Sequence, residues 1–277
     1  MLLLASHAMP GRVAVASVDH GLRPESAAEA AFVADLCAEL DVPHAVLSVQ
    51  VGVGNLQQQA RMARYDALAE WLDGEGLAAL ATGHQLDDQA ETLLMRLNRG
   101  SGLAGLAAVR SRGVVPRTTT PLLRPLLGWR RAALDQLVRR AGVDPVRDPS
   151  NIDPQFDRVR IRQAMQAADW IEPKGLARSA ALLGDAEIYL SQRIDEAFSA
   201  GVRMQGEAVT YTPGPSDFEA GEIALRIIHQ MDGTANRSEV ATLVERLRAG
   251  QNASLGGILA KPKIGWWEFE REPPRNF

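Results

Sequence analysis

Over its first hundred residues the chain alternates short β-rich runs with longer helix-like ones, and that order leaves few architectures open. Arg12–Val18 (RVAVASV) is a β-branched run that ends at Asp19-His20-Gly21. Helical character follows over Glu25–Leu40, and a second strand-like run over Pro43–Val51. Asn55–Leu72 is amphipathic, with Leu56, Ala60, Ala63, Ala67, Leu68 and Trp71 near helical spacing. Leu77–Thr82 reads as a buried strand and Asp88–Asn98 as a helix. Strands separated by helix-length crossovers predict an α/β fold, a parallel sheet with helices on its faces. Ligands of such sheets sit beyond the C-terminal ends of the strands. Asp19-His20-Gly21 and Thr82-Gly83-His84 both fall at such ends.

Beyond Asn98 the alternation loosens. Val114–Trp129 is rich in Pro and Arg, Arg130–Ala141 is helix-like, and Asp144–Asn151 is turn-rich. Helical patterns resume near Val159–Ala168 and Leu176–Ala200. The tail offers a strand at Ala208–Tyr211, helices near Glu219–Met231 and Arg237–Ala249, then strand-like Ser254–Ala260 and Lys263–Glu270. The turn-like residues Asp169–Gly175 suggest a boundary between a nucleotide-binding domain over 1–170 and a smaller, mostly helical or α+β accessory region over 171–277.

Composition excludes several classes. No apolar run approaches the roughly 20 residues of a membrane helix. Met1–Ala5 is apolar but lacks the basic start and cleavage site of a signal peptide. A cytoplasmic location is the default expectation. The single cysteine, Cys37, allows no internal disulfide and no zinc site built on several thiolates. Net charge is −4, yet residues 96–162 hold 14 Arg and 5 Asp with no Lys or Glu, a local net of +9. Such a surplus can attract phosphates even in an acidic molecule, or it can be a set of solvated helix faces.

Four stretches carry chemistry. In Thr82–Thr92 a strand ends at a His and two Asp that lead into a helix. Asp88 and Glu91, three apart, share a helix face and could grip an ammonium group or, through Mg²⁺, polyphosphate oxygens. The competing reading is a capping box, with Asp88 as cap and Glu91 reaching back. Arg99-Gly100-Ser101-Gly102-Leu103-Ala104-Gly105 could present amides to an anion, or Gly100 could simply end the helix in a left-handed cap. Arg61 and Arg64 share one face of their helix. Asp148-Pro149-Ser150-Asn151 precedes a basic run in which Arg158 and Arg162 lie one helical turn apart.

Taken together, in this order and spacing, these stretches resemble the tRNA(Ile)-lysidine synthase family of PP-loop ATP pyrophosphatases. The residues that carry the likeness are His20-Gly21-Leu22-Arg23, Gln59–Tyr65, His84-x-x-Asp87-Asp88-x-x-Glu91-Thr92, Arg99-Gly100-Ser101-Gly102-x-x-Gly105 and Asp148–Asn151. It covers about residues 1–185; Ser254-Leu255-Gly256-Gly257 in the tail matches more loosely. The resemblance implies an ATP-dependent C–N ligase. ATP adenylates the C2 oxygen of the wobble cytidine in a tRNA(Ile) with a CAU anticodon, and the ε-amine of L-lysine then displaces AMP. Carried over by motif, Asp88 and Glu91 would hold the lysine. Arg64 and Arg99 would face ATP phosphates or the activated base. Arg158 and Arg162 would help bind substrates, as would Gly100 and Gly102, and His20 and His84 would line the nucleotide edge. Mg²⁺ is expected with ATP, with no metal cage of protein ligands. No membrane contact is implied, and the resemblance leaves room for a homodimer.

Two departures stand against the pattern. Val159 occupies a position where the family has Asn. Met1–Ala8 resembles the helix that follows the family's SGGxDS phosphate loop; that loop and the strand before it, a middle strand of the sheet in the family, have no counterpart in the sequence. An upstream start is the favoured explanation, over a truncated copy or a non-catalytic RNA-binding remnant. The chain of 277 residues is therefore expected to show little ATP-dependent activity. Another PP-loop tRNA-modifying enzyme, such as a thiolase, would need reactive cysteines, and Cys37 lies in a helix away from every loop motif.

Overall fold

A computed structural model describes residues 1–19, 21, 25–50, 56–146 and 153–272. The chain forms two compact units, Met1–Asp185 and Ala186–Phe277. The division comes later than the expected 170/171 and falls inside a helix, α8 (Pro173–Gly201). Pro173 opens that helix, where its missing N–H costs nothing.

The first unit has the anticipated order: α1 (Leu2–Ala8), β1 (Val15–Asp19), α2 (Glu25–Glu39), β2 (His44–Ser48), α3 (Leu56–Gly74), β3 (Leu80–Ala81) and α4 (Leu86–Asn98). β1 and β2 pair in parallel, from Val15 opposite His44 to Asp19 opposite Ser48. α5 (Leu103–Leu106), β4 (Arg112–Val114), β5 (Pro121–Leu123), α6 (Arg131–Arg140) and α7 (Asp157–Ala167) follow. β5 lies parallel to β3, and β4 antiparallel to β5. The Val114–Trp129 segment thus supplies a sheet strand that sequence patterning passed over. β5 is three residues long and opens with a proline, which a strand tolerates at its first position.

Among the described residues β1 hydrogen-bonds only to β2, and β3 only to β5, so the sheet is in two pieces. One core serves both. Tyr65, Leu68 and Leu72, spaced along one face of α3, pack with Leu80, Val115 and Leu122, and Ala16, Val18 and Leu47 from the other piece join them.

The second unit is α+β rather than mostly helical. Its antiparallel sheet runs β6 (Val202–Gln205), β7 (Ala208–Tyr211), β10 (Trp266–Arg271), β9 (Ile258–Lys263), β8 (Ala253–Leu255). Alternate residues Val209, Tyr211, Ile258, Ala260, Trp267 and Phe269 point to a core shared with α9 (Asp217–Gln230) and α10 (Arg237–Arg248). The single strand expected over Ser254–Ala260 is a hairpin. Gly256 and Gly257, both at positive φ (60° and 81°), form its two-residue turn, with Leu255 opposite Ile258. Among the described residues no helix is long and apolar enough to cross a membrane.

Candidate active site

The site is assembled in the first unit around the start of α4. Thr82 continues from β3, its amide donating to Leu123 O at 2.9 Å. The Thr82 hydroxyl lies 2.9 Å from His84 Nδ1. Burial, and then the positive field of Arg124, push the His84 pKa below the usual histidine value; Arg158 and Arg61 add to this and Asp88 opposes it. The imidazole is thus held neutral at neutral pH, a polar wall rather than a cation.

α4 does begin with a capping box, three residues earlier than expected. Gln85 is the cap, its side chain accepting from the Asp87 amide at 2.5 Å, and Asp88 Oδ2 accepts the Gln85 amide at 3.0 Å. Asp88 therefore spends one oxygen on the helix and keeps Oδ1 facing two arginines loosely, Arg131 Nη2 at 3.5 Å and Arg158 Nη2 at 3.9 Å.

Glu91, one turn on, is 1% exposed. Its Oε1 accepts from Arg162 Nε at 2.7 Å and Arg131 Nη2 at 3.4 Å. Its Oε2 lies 3.3 Å from Arg162 Nη2 and 3.0 Å from Arg158 Nε. Of the roughly four acceptor positions of an ionised carboxylate, Arg162 and Arg131 fill three by hydrogen bonds, and Arg158 adds an ion-pair contact. The Glu91 hydrogen bond in turn raises the Arg162 pKa above its ordinary value. Removing one side of such a buried cluster costs roughly 2–4 kcal/mol, low in the usual range because the guanidiniums stay partly exposed.

Asp87 ties in a third helix. Its carboxylate takes Arg130 Nε at 3.1 and 3.3 Å and the Arg131 backbone amide at 2.8 Å. Arg131 is the first residue of α6, whose own N-cap, Arg130, makes no side-chain cap. Asp87 thus caps α6 from another helix and sets Arg131 against Glu91. Beside this cluster opens a cavity of about 470 Å³, with Asp87, Glu91, Arg130, Arg131, Arg162 and Asp169 in its walls.

The glycine-bearing loop after α4 is first of all a helix terminus. Gly100 (φ 67°) donates to Leu97 O at 3.0 Å and Ser101 to Arg96 O at 3.0 Å, the Schellman pattern. Gly100 has thus spent its amide on the cap. Arg96 Nη1 bonds Gly105 O at 2.6 Å and Ala108 O at 3.3 Å and folds the loop back. A Cβ on Gly105 would come within 2.7 Å of Ser101 Cβ. Gly102 caps α5 in an extended conformation. Asp157 pairs with Arg160 from α7 and, at 2.7 Å, with Arg99, and these hydrogen bonds lower its pKa. Arg99, Asp157 and Arg160 line a second cavity of about 300 Å³.

The structure therefore gathers Asp88, Glu91, Arg158 and Arg162 into one cluster and sets Arg99 on Asp157. Arg64 is exposed on α3, one turn from Arg61, which lies over the Tyr65 ring. His20 and Asp148–Asn151 lie outside the described residues. Asp19 closes the turn after β1, accepting from the Gly21 amide at 2.8 Å and the Ser26 hydroxyl at 2.7 Å. Asp87, Arg130 and Arg131 were not among the residues singled out for the site. The doubled Asp87-Asp88 at a helix start was their one sequence signal, and nothing local paired it with a helix 43 residues on. Val159, where the resemblance has Asn, is 5% exposed on α7. Among the described residues no three His, Cys, Asp or Glu side chains form a metal-ligand group. Cys37 is fully buried, and that burial raises its pKa.

Residues 1–168 match the family described as PP-loop domain. Over 99% of its length the chain is 43% identical to the tRNA(Ile)-lysidine synthase of Novosphingobium aromaticivorans, covering 85% of that protein. It is 37% identical to that of Zymomonas mobilis, with the same coverage of both chains, and 43% identical to that of Methylobacterium nodulans, over 95% of this chain and 84% of the relative. Among solved structures it resembles the U34-tRNA thiolase NcsA of Methanococcus maripaludis, which carries a [4Fe-4S] cluster. The TM-score is 0.54 over 68% of this chain and 66% of that one, at 16% identity, a likeness of fold.

Proposed function

The chain belongs to the tRNA(Ile)-lysidine synthases of the PP-loop family, and from that premise we propose how its residues serve the ATP-dependent ligation. The substrates are ATP, L-lysine and a tRNA(Ile) with a CAU anticodon. ATP adenylates the C2 oxygen of the wobble cytidine and pyrophosphate leaves; the lysine ε-amine then attacks C2 and AMP leaves.

The observation that carries this reading is the convergence of Asp88 and Glu91 with Arg131, Arg158 and Arg162 beside a cavity large enough for an amino acid. The two carboxylates divide the work. Glu91, filled by guanidiniums, orders the arginines. Asp88 Oδ1, held at 3.5 Å and beyond, is the acceptor an incoming ammonium can take, and the group that can receive its proton before attack. Arg131 and Arg158 then face the anionic partner, where their charge offsets that of the departing phosphate. Arg99, beside Arg160, offers a second anion contact, and neutral His84 lines the nucleotide edge. Among the described residues no three His, Cys, Asp or Glu side chains are grouped as a cage for Mg²⁺. A homodimer stays a proposal of the family likeness.

Calorimetric titration of L-lysine into the protein saturated with tRNA(Ile) tests the assignment. Asp88→Asn should weaken lysine binding by roughly 10- to 100-fold, the worth of a charge-assisted hydrogen bond. An unchanged affinity would remove Asp88 from the amine site.

A further inference from the structure

Trp170 is 81% exposed, one of the least covered large apolar side chains in the molecule. It stands between α7 and α8, and its chain neighbours Asp169 and Ile171 both line the 470 Å³ cavity. Arg130 lines the same cavity, and its neighbour Trp129 is 43% exposed. Arg130 Nη1 lies 4.0 Å from Glu172 Oε1, which draws the two tryptophan-bearing segments together. Trp267, by contrast, is 4% exposed, edge-on to Tyr211 at 5.8 Å and under Arg248, inside the core of the second unit.

An indole left in water at the rim of a site forgoes the burial such a side chain gains. Its neighbours along the chain include the charged Asp169, Glu172 and Lys174, and Arg130 approaches Glu172. Exposed tryptophans interleaved with charged residues do not make the contiguous apolar patch of a protein interface. It does suit a flat, polar-edged ligand, and an unpaired nucleobase is one. We propose that Trp170 is a stacking platform for an unpaired base of the tRNA anticodon loop, placed so that the loop is held over the cavity beside the Asp88–Glu91 cluster. The proposal rests on the tRNA(Ile) reading above and adds to it the side chain that grips the loop. Trp129, next to Arg130 of the cavity wall along the chain, is a second exposed aromatic surface.

The test is titration of the full chain with a CAU anticodon stem–loop RNA, followed by intrinsic fluorescence and by affinity at several salt concentrations. Trp170 is exposed, so its replacement spares the core. Trp170→Ala should weaken binding by roughly 5- to 100-fold and abolish most of the RNA-induced quenching. Trp170→Phe should retain most of the affinity. The dependence of log affinity on log salt should not change, because an indole releases no counterions. Unchanged affinity and quenching in Trp170→Ala, with the wild type binding RNA, would overturn the stacking and leave the tRNA reading intact. Failure of the wild type to bind the RNA at all would overturn both. Loss of self-association in Trp170→Ala at undiminished RNA affinity would assign the indole to a protein contact and also overturn the proposal.

Discussion

Glu91 shows how far a side chain's role depends on what surrounds it. The spacing of Asp88 and Glu91 made them look equivalent, two acids on one helix face. One is sealed among three guanidiniums and the other retains a loosely held oxygen. His84 is a further case, because its charge state is set by neighbours distant in sequence. Burial and Arg124 lower its pKa in the folded chain, so as pH falls the unfolded chain takes up the proton first. The contribution to stability is complete above the unfolded value of about 6.5 and declines as pH falls below it. His84→Gln should therefore flatten the loss of stability between about pH 7.5 and pH 5, read as urea midpoints at each pH. Burial lowers the His44 pKa too, so part of the slope should remain. An unaltered slope would mean that His84 is as readily protonated in the fold as in the open chain.

Between elements, the decisive join is made by Asp87. α4 and α6 are 43 residues apart along the chain at their point of contact, and the carboxylate of one caps the other. Asp87→Ala leaves the first amide of α6 and the Nε of Arg130 without their acceptor. It should cost roughly 1–2 kcal/mol of stability by urea unfolding. Asp87→Asn keeps an amide acceptor and should cost less. Equal losses from both would show that the ion pair, not the cap, holds α6 in place. The elements themselves were largely legible. α2, α3, α4, α9 and α10 announce themselves by apolar spacing and by their starts, as with Asn236 capping α10 through Glu239. β4, β5 and β6 did not. At three or four residues, with Pro121 opening β5, they are too short for alternation to register, and only pairing with a neighbour defines them.

For the molecule as a whole, a net charge of −4 conceals a basic segment, and the structure shows how little of that segment is free. Arg99 and Arg160 share Asp157, Arg117 holds Asp66, and Arg130, Arg131, Arg158 and Arg162 are drawn to the α4 acids. Arg139 and Arg140, exposed in the last turn of α6, make no ion pair among the described residues. Phosphate contacts are better sought there than at Arg130 and Arg131, which are engaged by Asp87 and Glu91. Replacing Arg139 and Arg140 by Ala should lower the slope of log affinity for tRNA against log salt by roughly 0.7–0.9 for each phosphate that is no longer neutralised. A slope equal to wild type would place the RNA backbone elsewhere.

The sequence by itself determined the α/β order of the first unit, the helix that opens with Asp87-Asp88, the glycine-terminated end of that helix and the family to which the motifs belong. All of these are short-range properties, fixed by a 3.6-residue repeat, a cap or a turn. Only the tertiary structure decided that the second core is a five-stranded sheet under two helices, that the domain division runs through a continuous helix, and that Asp87, Asp88 and Glu91 have separate partners. Those partners lie 40 to 71 residues away. Charge attraction does not depend on sequence separation, so which arginine meets which carboxylate is settled only when the packed helices bring them within reach.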